Sequence, residues 1–234
     1  MLKAIPILFW AISSQGQTSS LGITAAMPLF MPAQIKVHTG KESLNSSFYP
    51  SLETAIFYEK YFNDEWGMYS ALQLGSVPME YNIKDALGGE VYKQQYLSGT
   101  FQVCKKEILS DFSNSYWRAG IDLCYLPYHT ENETIESYNP AFGVPFAIYY
   151  QNITYNSNKA FPMFGLKIAH GHDWRIFKKH AIGIEVGALL TMQNMLTYDY
   201  RLYLKGTFST GTYVRQFNYA NISLSYKYIL SSKP

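Results

Sequence analysis

Two runs that alternate apolar with small or polar residues constrain the fold of this chain more than any other feature. They lie in 161-FPMFGLKIAHGHDWRIFKKHAIGIEVGALL-190, on either side of a short polar segment, and each carries one charge, Lys167 and Glu185. A period of two is the pattern of a β-strand, because successive side chains point to opposite faces of a sheet. One face of this sheet is therefore apolar, and the other carries small and charged side chains.

The composition indicates that the apolar face meets lipid. Only 15% of the residues are charged, below the ~25% usual for soluble domains, and 17% are aromatic. Mean hydropathy is −0.13, and beyond the N-terminus no apolar run approaches the ~20 residues of a transmembrane helix. These features favour a transmembrane β-barrel, in which alternation keeps mean hydropathy near zero. The formal net charge of +2 does not indicate a nucleic-acid partner.

The N-terminus has the pattern of an export signal. Met1 to Lys3 supplies a positive charge, Ala4 to Ile12 is an apolar run, and Ser13 to Gly16 is rich in small residues. We predict a signal peptide over residues 1–16 and one barrel domain over residues 17–234. A buried first strand or helix is the alternative interpretation of this segment.

Short and long polar connections alternate along the rest of the chain. The short ones, 63–67, 113–118 and 172–180, each contain a tryptophan. The long ones are rich in Gly, Asn, Ser and Thr and span about 81–93, 130–160 and 198–214. Tight turns on the periplasmic side and long loops outside are the arrangement of outer-membrane barrels.

This spacing predicts an all-β fold, a single antiparallel up-and-down transmembrane β-barrel of eight strands. The first long loop falls between the first two strands. The predicted strands are about 24–38, 51–62, 67–79, 95–108, 116–128, 161–172, 180–196 and 216–230.

Reflection about the short segments predicts which residues face each other. Opposed residues around a tight antiparallel turn have a constant sum of residue numbers. The third short segment then places Lys167 opposite Glu185, and the second places Lys106 opposite Asp122. We predict that these two charge pairs lie inside the barrel and help to plug a polar interior.

The same reflection places the only two cysteines, Cys104 and Cys124, opposite each other. An exported protein meets an oxidising compartment, which permits a disulfide. Opposed Cβ atoms are about 4.5–5.5 Å apart, whereas a relaxed bridge requires about 3.8 Å, so a bond needs local distortion. The sequence leaves two alternatives open, a Cys104–Cys124 disulfide or two inert thiols in a narrow interior.

Aromatic residues gather at the short connections. Trp66, Trp117 and Trp174 lie there, and Tyr226 and Tyr228 belong to the last strand. Indole and phenol groups concentrate at membrane interfaces, where the ring meets lipid and the polar atom meets water. We predict that these five residues form an interfacial aromatic girdle together with Phe62, Tyr116 and Phe177.

The chain resembles the small Gram-negative outer-membrane β-barrel proteins of the OmpA/OmpX/OmpW-like type. The resemblance rests on alternating strands, turn-side aromatics and the aromatic strand 218-NYANISLSYKYIL-230. It implies a location in the cell outer membrane, insertion by the barrel-assembly machinery and contact with outer-membrane lipid. Such families end on the final aromatic residue, whereas Ser231 to Pro234 follow Leu230 here.

No motif assigns an enzymatic activity. None of the five histidines is followed two residues later by serine, and no Gly-x-Ser-x-Gly, His-Glu-x-x-His or phosphate-loop motif occurs. His170 and His172 share one side of a strand, but their parity places them on the outer face. We therefore predict no catalytic residue, no cofactor and no metal ligand, and an enzyme is the less favoured class.

The predicted function is a structural or binding role. The barrel has a plugged interior, and its long loops contact another envelope protein or lipopolysaccharide. Arg201, Lys205 and Arg215 flank the last loop, and two interpretations stay open for them: a solvated rim, which is favoured, or contact with phosphates. Two alternatives stay open: a lipid-modifying envelope enzyme or narrow solute conduit, and a soluble, secreted, lipocalin-like lipid carrier.

Overall fold

The structure is a computed structural model whose described secondary structure consists of β-strands. The predicted signal peptide lies outside the described residues. These are 18–41, 44–46, 48–80, 82–83, 91–127, 129–131, 134–139, 144–155, 162–204 and 206–232. The strands are β1 (Thr18–Phe30), β2 (Gln34–Thr39), β3 (Leu44–Asn45), β4 (Tyr49–Pro50), β5 (Glu53–Tyr61), β6 (Trp66–Glu80), β7 (Asn82–Ile83), β8 (Val91–Ser110), β9 (Ser113–Tyr125), β10 (His129–Glu131), β11 (Thr134–Asn139), β12 (Val144–Tyr155), β13 (Met163–Phe177), β14 (His180–Thr191), β15 (Asn194–Leu204), β16 (Thr207–Gln216) and β17 (Tyr219–Ser232). Within this part of the chain, no helix is long and apolar enough to cross a membrane.

Eight strands close into an antiparallel barrel, in the order β1, β5, β6, β8, β9, β13, β14 and β17. The last strand returns to the first, with a register that runs from Thr18 opposite Ser232 to Phe30 opposite Tyr219. The predicted fold class and strand number are confirmed. The first strand begins at Thr18, about six residues earlier than predicted.

The barrel is apolar outside and polar inside. Along β13, buried and exposed residues alternate from Met163 onward, so Lys167 is 4% exposed whereas its neighbour Leu166 is 60% exposed. Leu224 on β17 is 64% exposed and Ser223 is 3% exposed. A membrane-spanning strand needs about 9–11 residues when tilted, and these strands are long enough.

A closed, even-stranded barrel with an apolar exterior has the architecture of an integral outer-membrane protein. The chain is therefore such a barrel, as the sequence predicts. The alternative of a soluble, lipocalin-like carrier is wrong, because a soluble barrel would turn its polar side chains toward water rather than inward.

A second sheet extends the barrel on the side of the long connections. Its strand order is β10-β12-β15-β16-β2, with β11 also paired to β12. We call it the upper sheet. Short breaks at residues 31–33, 192–193 and 217–218 separate its strands from the barrel strands below. The sequence predicted mainly loops here, and this is corrected: β15 alternates buried with more exposed residues, as a half-buried strand does.

Apolar side chains fill the upper part of the molecule. One buried cluster lies inside the barrel toward the upper sheet, and it consists of Phe30, Val77, Tyr96, Cys124, Leu126, Met163, Leu189, Met195, Phe217 and Tyr219. Another covers the inner face of the upper sheet, and it consists of Leu44, Ile148, Tyr150, Ile153, Leu196, Tyr198, Tyr200, Leu202, Leu204 and Tyr213. The ion-paired charged groups inside the barrel lie toward the short turns, whereas Glu53, Asp122 and Lys167 are buried closer to the upper sheet.

Candidate functional site

A network of five charged side chains occupies the barrel interior near the short turns. Arg118 on β9 donates to Glu59 Oε1 at 3.1 Å and to Glu185 Oε2 at 2.8 Å. Lys227 on β17 donates to the other oxygen of Glu59 at 2.9 Å and also to Asp173 Oδ2. Glu59 thus joins the two cations through its two carboxylate oxygens.

The network crosses the lumen rather than following the wall. Glu59 lies on β5 and Arg118 on β9, and β6 and β8 stand between these two strands in the wall. Glu59, Arg118 and Lys227 are only 2%, 4% and 3% exposed. Buried charges need partners because removal from water is costly, and each charge here has at least one opposite charge in contact.

Tyrosine rings surround the two cations. The guanidinium carbon of Arg118 lies 3.9 Å from the ring centre of Tyr69 and 4.2 Å from that of Tyr116. Lys227 Nζ lies 4.7 Å from the centre of the Tyr116 ring. The Tyr61 hydroxyl donates to Glu59 Oε1 at 3.0 Å. Cation–π contacts of this kind add to the ion pairs where water is excluded.

A second polar layer lies closer to the upper sheet. Gln73 Nε2 donates to Glu53 Oε1 at 3.1 Å, and the Ser98 hydroxyl donates to Gln73 Oε1 at 2.9 Å. The Thr100 hydroxyl lies 2.8 Å from Gln73 Oε1 and also contacts a carboxylate oxygen of Asp122. This layer ties β5, β6, β8 and β9 together across their inner faces.

The predicted pairing of Lys167 with Glu185 is wrong. Lys167 lies opposite Leu189, and Glu185 lies opposite Gly171. The side chain of Lys167 is buried in the lumen, with Nζ 5.9 Å from the ring centre of Tyr219, and the partner of Glu185 is Arg118.

The predicted pairing of Lys106 with Asp122 is also wrong. Lys106 lies opposite Tyr116, and Asp122 lies opposite Thr100. Lys106 Nζ lies 4.3 Å from the ring centre of Tyr61, close to the short turns. Asp122 is buried in the second polar layer.

Four members of the ion network were not singled out as a site by sequence reasoning: Glu59, Arg118, Asp173 and Lys227. The signal that could have found them is parity. Each is a charged residue at an inward position of a predicted strand or its end, as Lys167 and Glu185 are. Contacts across a lumen join strands that are not neighbours, so reflection about a turn cannot identify them.

The two cysteines are not opposed. Cys104 lies opposite Arg118, and Cys124 lies opposite Ser98. The predicted juxtaposition is therefore wrong. Both cysteines are buried free thiols, and no disulfide joins them.

The outer face of the barrel in its short-turn half carries Trp66, Trp117, Trp174, Tyr226 and Tyr228, and Phe62 and Phe177 are exposed at the same end. Tyr116 is instead buried in the lumen beside Arg118, so its predicted place in the girdle is wrong. Trp66 and Trp117 flank Lys105, which is opposite both of them on the strand between. Trp174 and Tyr226 both lie opposite Ile182, and Tyr228 lies opposite His180. Their contact with lipid headgroups stays a prediction.

His170 and His172 extend the aromatic cluster at the short turns. The His170 ring lies 4.3 Å from the Trp117 ring, and the His172 ring lies 4.5 Å from the Trp174 ring, measured between ring centres. In the part of the chain that the structure describes, no group of three or more His, Cys, Asp or Glu side chains could hold a metal ion.

A hydrogen-bonded row crosses the outer face of the upper sheet. Asn152 Nδ2 donates to Asp199 Oδ2 at 3.0 Å, and the Thr212 hydroxyl donates to Asp199 Oδ1 at 2.9 Å. His38 Nε2 lies 2.8 Å from Thr212 Oγ1 and acts as the donor, because the threonine proton is directed to Asp199. In a nucleophilic triad the histidine lies between the hydroxyl and the carboxylate. Here the threonine lies between them, so the row is not a triad.

The basic residues near the last long connection differ in position. Arg201 is exposed on the outer face of β15, opposite Thr210. Arg215 instead points inward and is fully buried, so the exposed position predicted for it, as a phosphate contact or part of a solvated rim, is wrong. Lys205 lies outside the described residues. Lys36 on β2, opposite Thr212, is a second exposed cation of this face.

No protein-family model matches the chain, and no curated protein sequence matches it. Among solved structures it is similar to the outer membrane protein OprG from Pseudomonas aeruginosa, with 14% identity, 93% of this chain and 97% of that chain covered, and a TM-score of 0.49. It is similar to the attachment invasion locus protein Ail of Yersinia pestis, with 9% identity, 92% and 100% covered, and a TM-score of 0.41. It is also similar to the outer membrane protease OmpT from Escherichia coli, with 10% identity, 94% and 100% covered, and a TM-score of 0.39. No residue role is transferred from these proteins.

Proposed function

We propose that the chain is a plugged outer-membrane barrel with a binding role, exerted by the outer face of the upper sheet toward lipopolysaccharide. Insertion by the barrel-assembly machinery, which the resemblance implies, is part of this proposal. The plugged interior is supported by the ion pair between Glu59 and Arg118, which crosses the lumen from one wall to another, and the binding role by the exposed cations Lys36 and Arg201 on the upper sheet.

The interior network supports a plugged barrel. The lumen of an eight-stranded barrel is just wide enough for side chains to fill it. A hydrated ion that passed Arg118 would have to separate this guanidinium from both Glu59 and Glu185. Breaking a buried ion pair costs several kcal/mol, roughly 3–5 when one partner is lost. An open aqueous path is therefore not expected, and function is expected on the surface.

The upper sheet offers the binding surface. Lys36 lies on β2 of the upper sheet, beyond the break at residues 31–33 that separates this sheet from the barrel wall. The long connections of such barrels face outside, which is the side on which the phosphorylated sugars of lipopolysaccharide lie. Lys36 and Arg201 provide cations for phosphate, and Thr210 and Thr212 on β16, the strand between them, provide hydroxyl groups for sugar. Asn152 on β12, the next strand beyond Arg201, provides an amide.

Binding of purified lipopolysaccharide to the detergent-solubilised protein tests the proposal. The double variant Lys36→Gln/Arg201→Gln is expected to weaken binding about tenfold or more, since 1.4 kcal/mol corresponds to a factor of ten. The control is Lys105→Gln/Arg175→Gln, which removes two cations from the opposite end of the barrel. Equal loss in both variants, or in neither, would contradict a site on the upper sheet.

A narrow conduit for an apolar solute is the second candidate, favoured by the apolar cluster inside the upper barrel. The two functions differ in a planar bilayer and in vesicles. The plugged barrel is expected to give no steady ion conductance and no faster entry of a small aromatic solute. Steady conductance by the unmodified protein would overturn the plug, and solute entry without conductance would favour the conduit.

A further inference from the structure

A groove runs along the lipid-facing wall of the barrel where β17, β1, β5 and β6 meet. One row across these strands reads large, small, small, large: Leu224, Ala25, Thr54 and Leu74 are consecutive partners in the ladder. The two small residues form the floor, and the two leucines, 64% and 60% exposed, form the sides. The resulting concavity has a volume of about 590 Å³.

The adjacent row toward the short turns continues the groove with larger apolar side chains. Tyr226, Ile23, Ile56 and Leu72 are partners in the same four strands. All four contribute to the lining. The lining is mostly hydrocarbon, and its hydroxyl-bearing residues are Thr24, Thr54, Ser225 and Tyr226.

The depth of the groove fits one leaflet of a bilayer. Leu224 lies four residues from Tyr228 on β17, which is about 13 Å along an extended strand. Because barrel strands are tilted by roughly 35–45°, this length corresponds to about 10 Å of depth. Half of the hydrocarbon core is about 15 Å thick, so with Tyr228 at the interface Ala25 and Leu224 lie within the short-turn leaflet.

A basic turn stands at the interfacial end of this path. The turn at Lys178 and Lys179 is held against β17, since Ile229 N donates to Lys179 O at 2.8 Å. Lys179 Nζ lies 6.0 Å from the ring centre of Tyr228, and His180 Nδ1 is hydrogen-bonded to the Tyr226 hydroxyl. Residues 175–180 read RIFKKH, with three Lys or Arg and no acidic residue.

We propose that the groove and the basic turn together bind one glycerophospholipid of the short-turn leaflet. An acyl chain lies over Ala25 and Thr54, and the phosphate contacts Lys178 and Lys179. The site is independent of the lipopolysaccharide site of the upper sheet, because it lies on the other leaflet and uses none of the same residues. Anionic phosphatidylglycerol is the preferred species, since two lysines face its headgroup.

A phospholipid fits this surface better than a second copy of the chain. A stable protein interface buries about 800 Å² per partner and needs a broad matching surface. The floor here is two strands wide, or about 10 Å, between the Leu224 and Leu74 ridges, which suits a linear chain. The lysines at the end of the groove supply the charge that a phosphate requires.

Native mass spectrometry of the full chain released from detergent, with added phosphatidylglycerol or phosphatidylethanolamine, tests the proposal. The unmodified protein is expected to retain one phosphatidylglycerol. Ala25→Leu fills the floor and is expected to reduce retention of both lipids about tenfold. Ala119→Leu, an exposed alanine on the outer face of β9, is the matched control and is expected to change nothing. Folding of each variant is checked by the heat-dependent shift of the barrel in electrophoresis.

The Lys178→Gln/Lys179→Gln variant separates the headgroup from the chain. It is expected to remove the preference for phosphatidylglycerol while phosphatidylethanolamine is still retained. Inorganic phosphate at millimolar concentration is expected not to displace the lipid. Displacement would show that the basic turn binds phosphate without help from the groove, which would overturn the proposed lipid site. Unchanged retention in folded Ala25→Leu would overturn the proposal. If the unmodified protein formed dimers without bound lipid, and Ala25→Leu abolished them, the proposal would be overturned, because the groove would then bind a second copy of the chain.

Discussion

The ring of Tyr116 on β9 lies across Gly171 on β13, its direct partner in the ladder. A Cβ at Gly171 would lie 2.3 Å from the Tyr116 Cζ, so any other residue would have to displace the ring. The same arrangement recurs at three more opposed pairs: Gly22 with Phe57, Gly75 with Tyr96, and Gly211 with Tyr200. Glycine on the inner face thus gives space to one neighbouring aromatic ring.

Replacement of Gly171 by alanine is expected to destabilise the barrel by about 1–3 kcal/mol, the usual cost of overpacking. The added methyl group would push Tyr116 away from Arg118 and Lys227, whose charged groups lie 4.2 Å and 4.7 Å from its ring. Urea unfolding in lipid vesicles, followed by tryptophan fluorescence, measures the change. Gly99→Ala is the control, since its nearest new contact is 3.9 Å away. Equal losses at the two glycines would contradict this role.

Removal of Arg118 is expected to be the most costly single change among the charged residues. Arg118→Ala leaves Glu59 without one cation and Glu185 without its ion-pair partner inside the lumen. The expected loss is about 3–5 kcal/mol in the same unfolding experiment. Arg175→Ala, at an exposed position beside a turn, is expected to stay within about 0.5 kcal/mol of the unmodified protein.

A second substitution distinguishes the loss of charge pairing from the loss of packing. Glu185→Gln removes one of the carboxylates that Arg118 neutralises. Added to Arg118→Ala, it is expected to recover part of the stability. If the double variant is as unstable as the sum of the two single variants, the ion pair is not the cause.

The sequence predicted which face each residue occupies but not which residue it opposes. The actual partner of Lys106 is Tyr116, six residues from the predicted Asp122, and that of Lys167 is Leu189, four residues from the predicted Glu185. Both register errors are an even number of residues. Because side chains alternate between the two faces of a strand, an even error changes the paired residue but leaves the predicted face correct.

The error has a physical cause in the position of the turns. Polarity indicated a bend near Asn114, but the bend is at Asp111 and Phe112, and Asn114 already belongs to β9. Strand ends at a membrane surface are as wet as turns, so polar composition does not locate the bend. The ion network could not be predicted for another reason. It joins strands that are distant in the sequence and are not neighbours in the barrel wall.

The upper sheet was missed although its pattern was present. Leu196, Tyr198, Tyr200 and Leu202 are buried at alternate positions of β15. The intervening Thr, Asp and Arg side chains face outward, and their polarity, with the nearby glycines, made the segment look like a loop. Tyrosine in alternation is a strand signal even where the overall composition is polar.

Arginine on the lipid face is expected to be costly in proportion to its depth. Ile184 lies opposite Leu224 on the outer face and is 41% exposed. The substitution Ile184→Arg is expected to lower the free energy of unfolding by about 2–4 kcal/mol. Ile176→Arg, one residue from the end of β13, is expected to cost about 0–1 kcal/mol because the guanidinium reaches the interface. Unfolding in vesicles compares the two. Similar costs would contradict the assignment of this face to the bilayer.

The cysteines are expected to remain two free thiols under oxidising conditions. Cys104 lies opposite Arg118, six residues from Cys124 on the same neighbouring strand, or about 20 Å along it. A disulfide requires Cα atoms within about 7 Å, so the strands would have to slide past each other. Denaturation without reductant, followed by a maleimide label, is expected to give two labels per chain. The folded protein is expected to take up none in the same time, because both side chains are buried. Fewer than two labels after denaturation would show a bond and refute the register between β8 and β9.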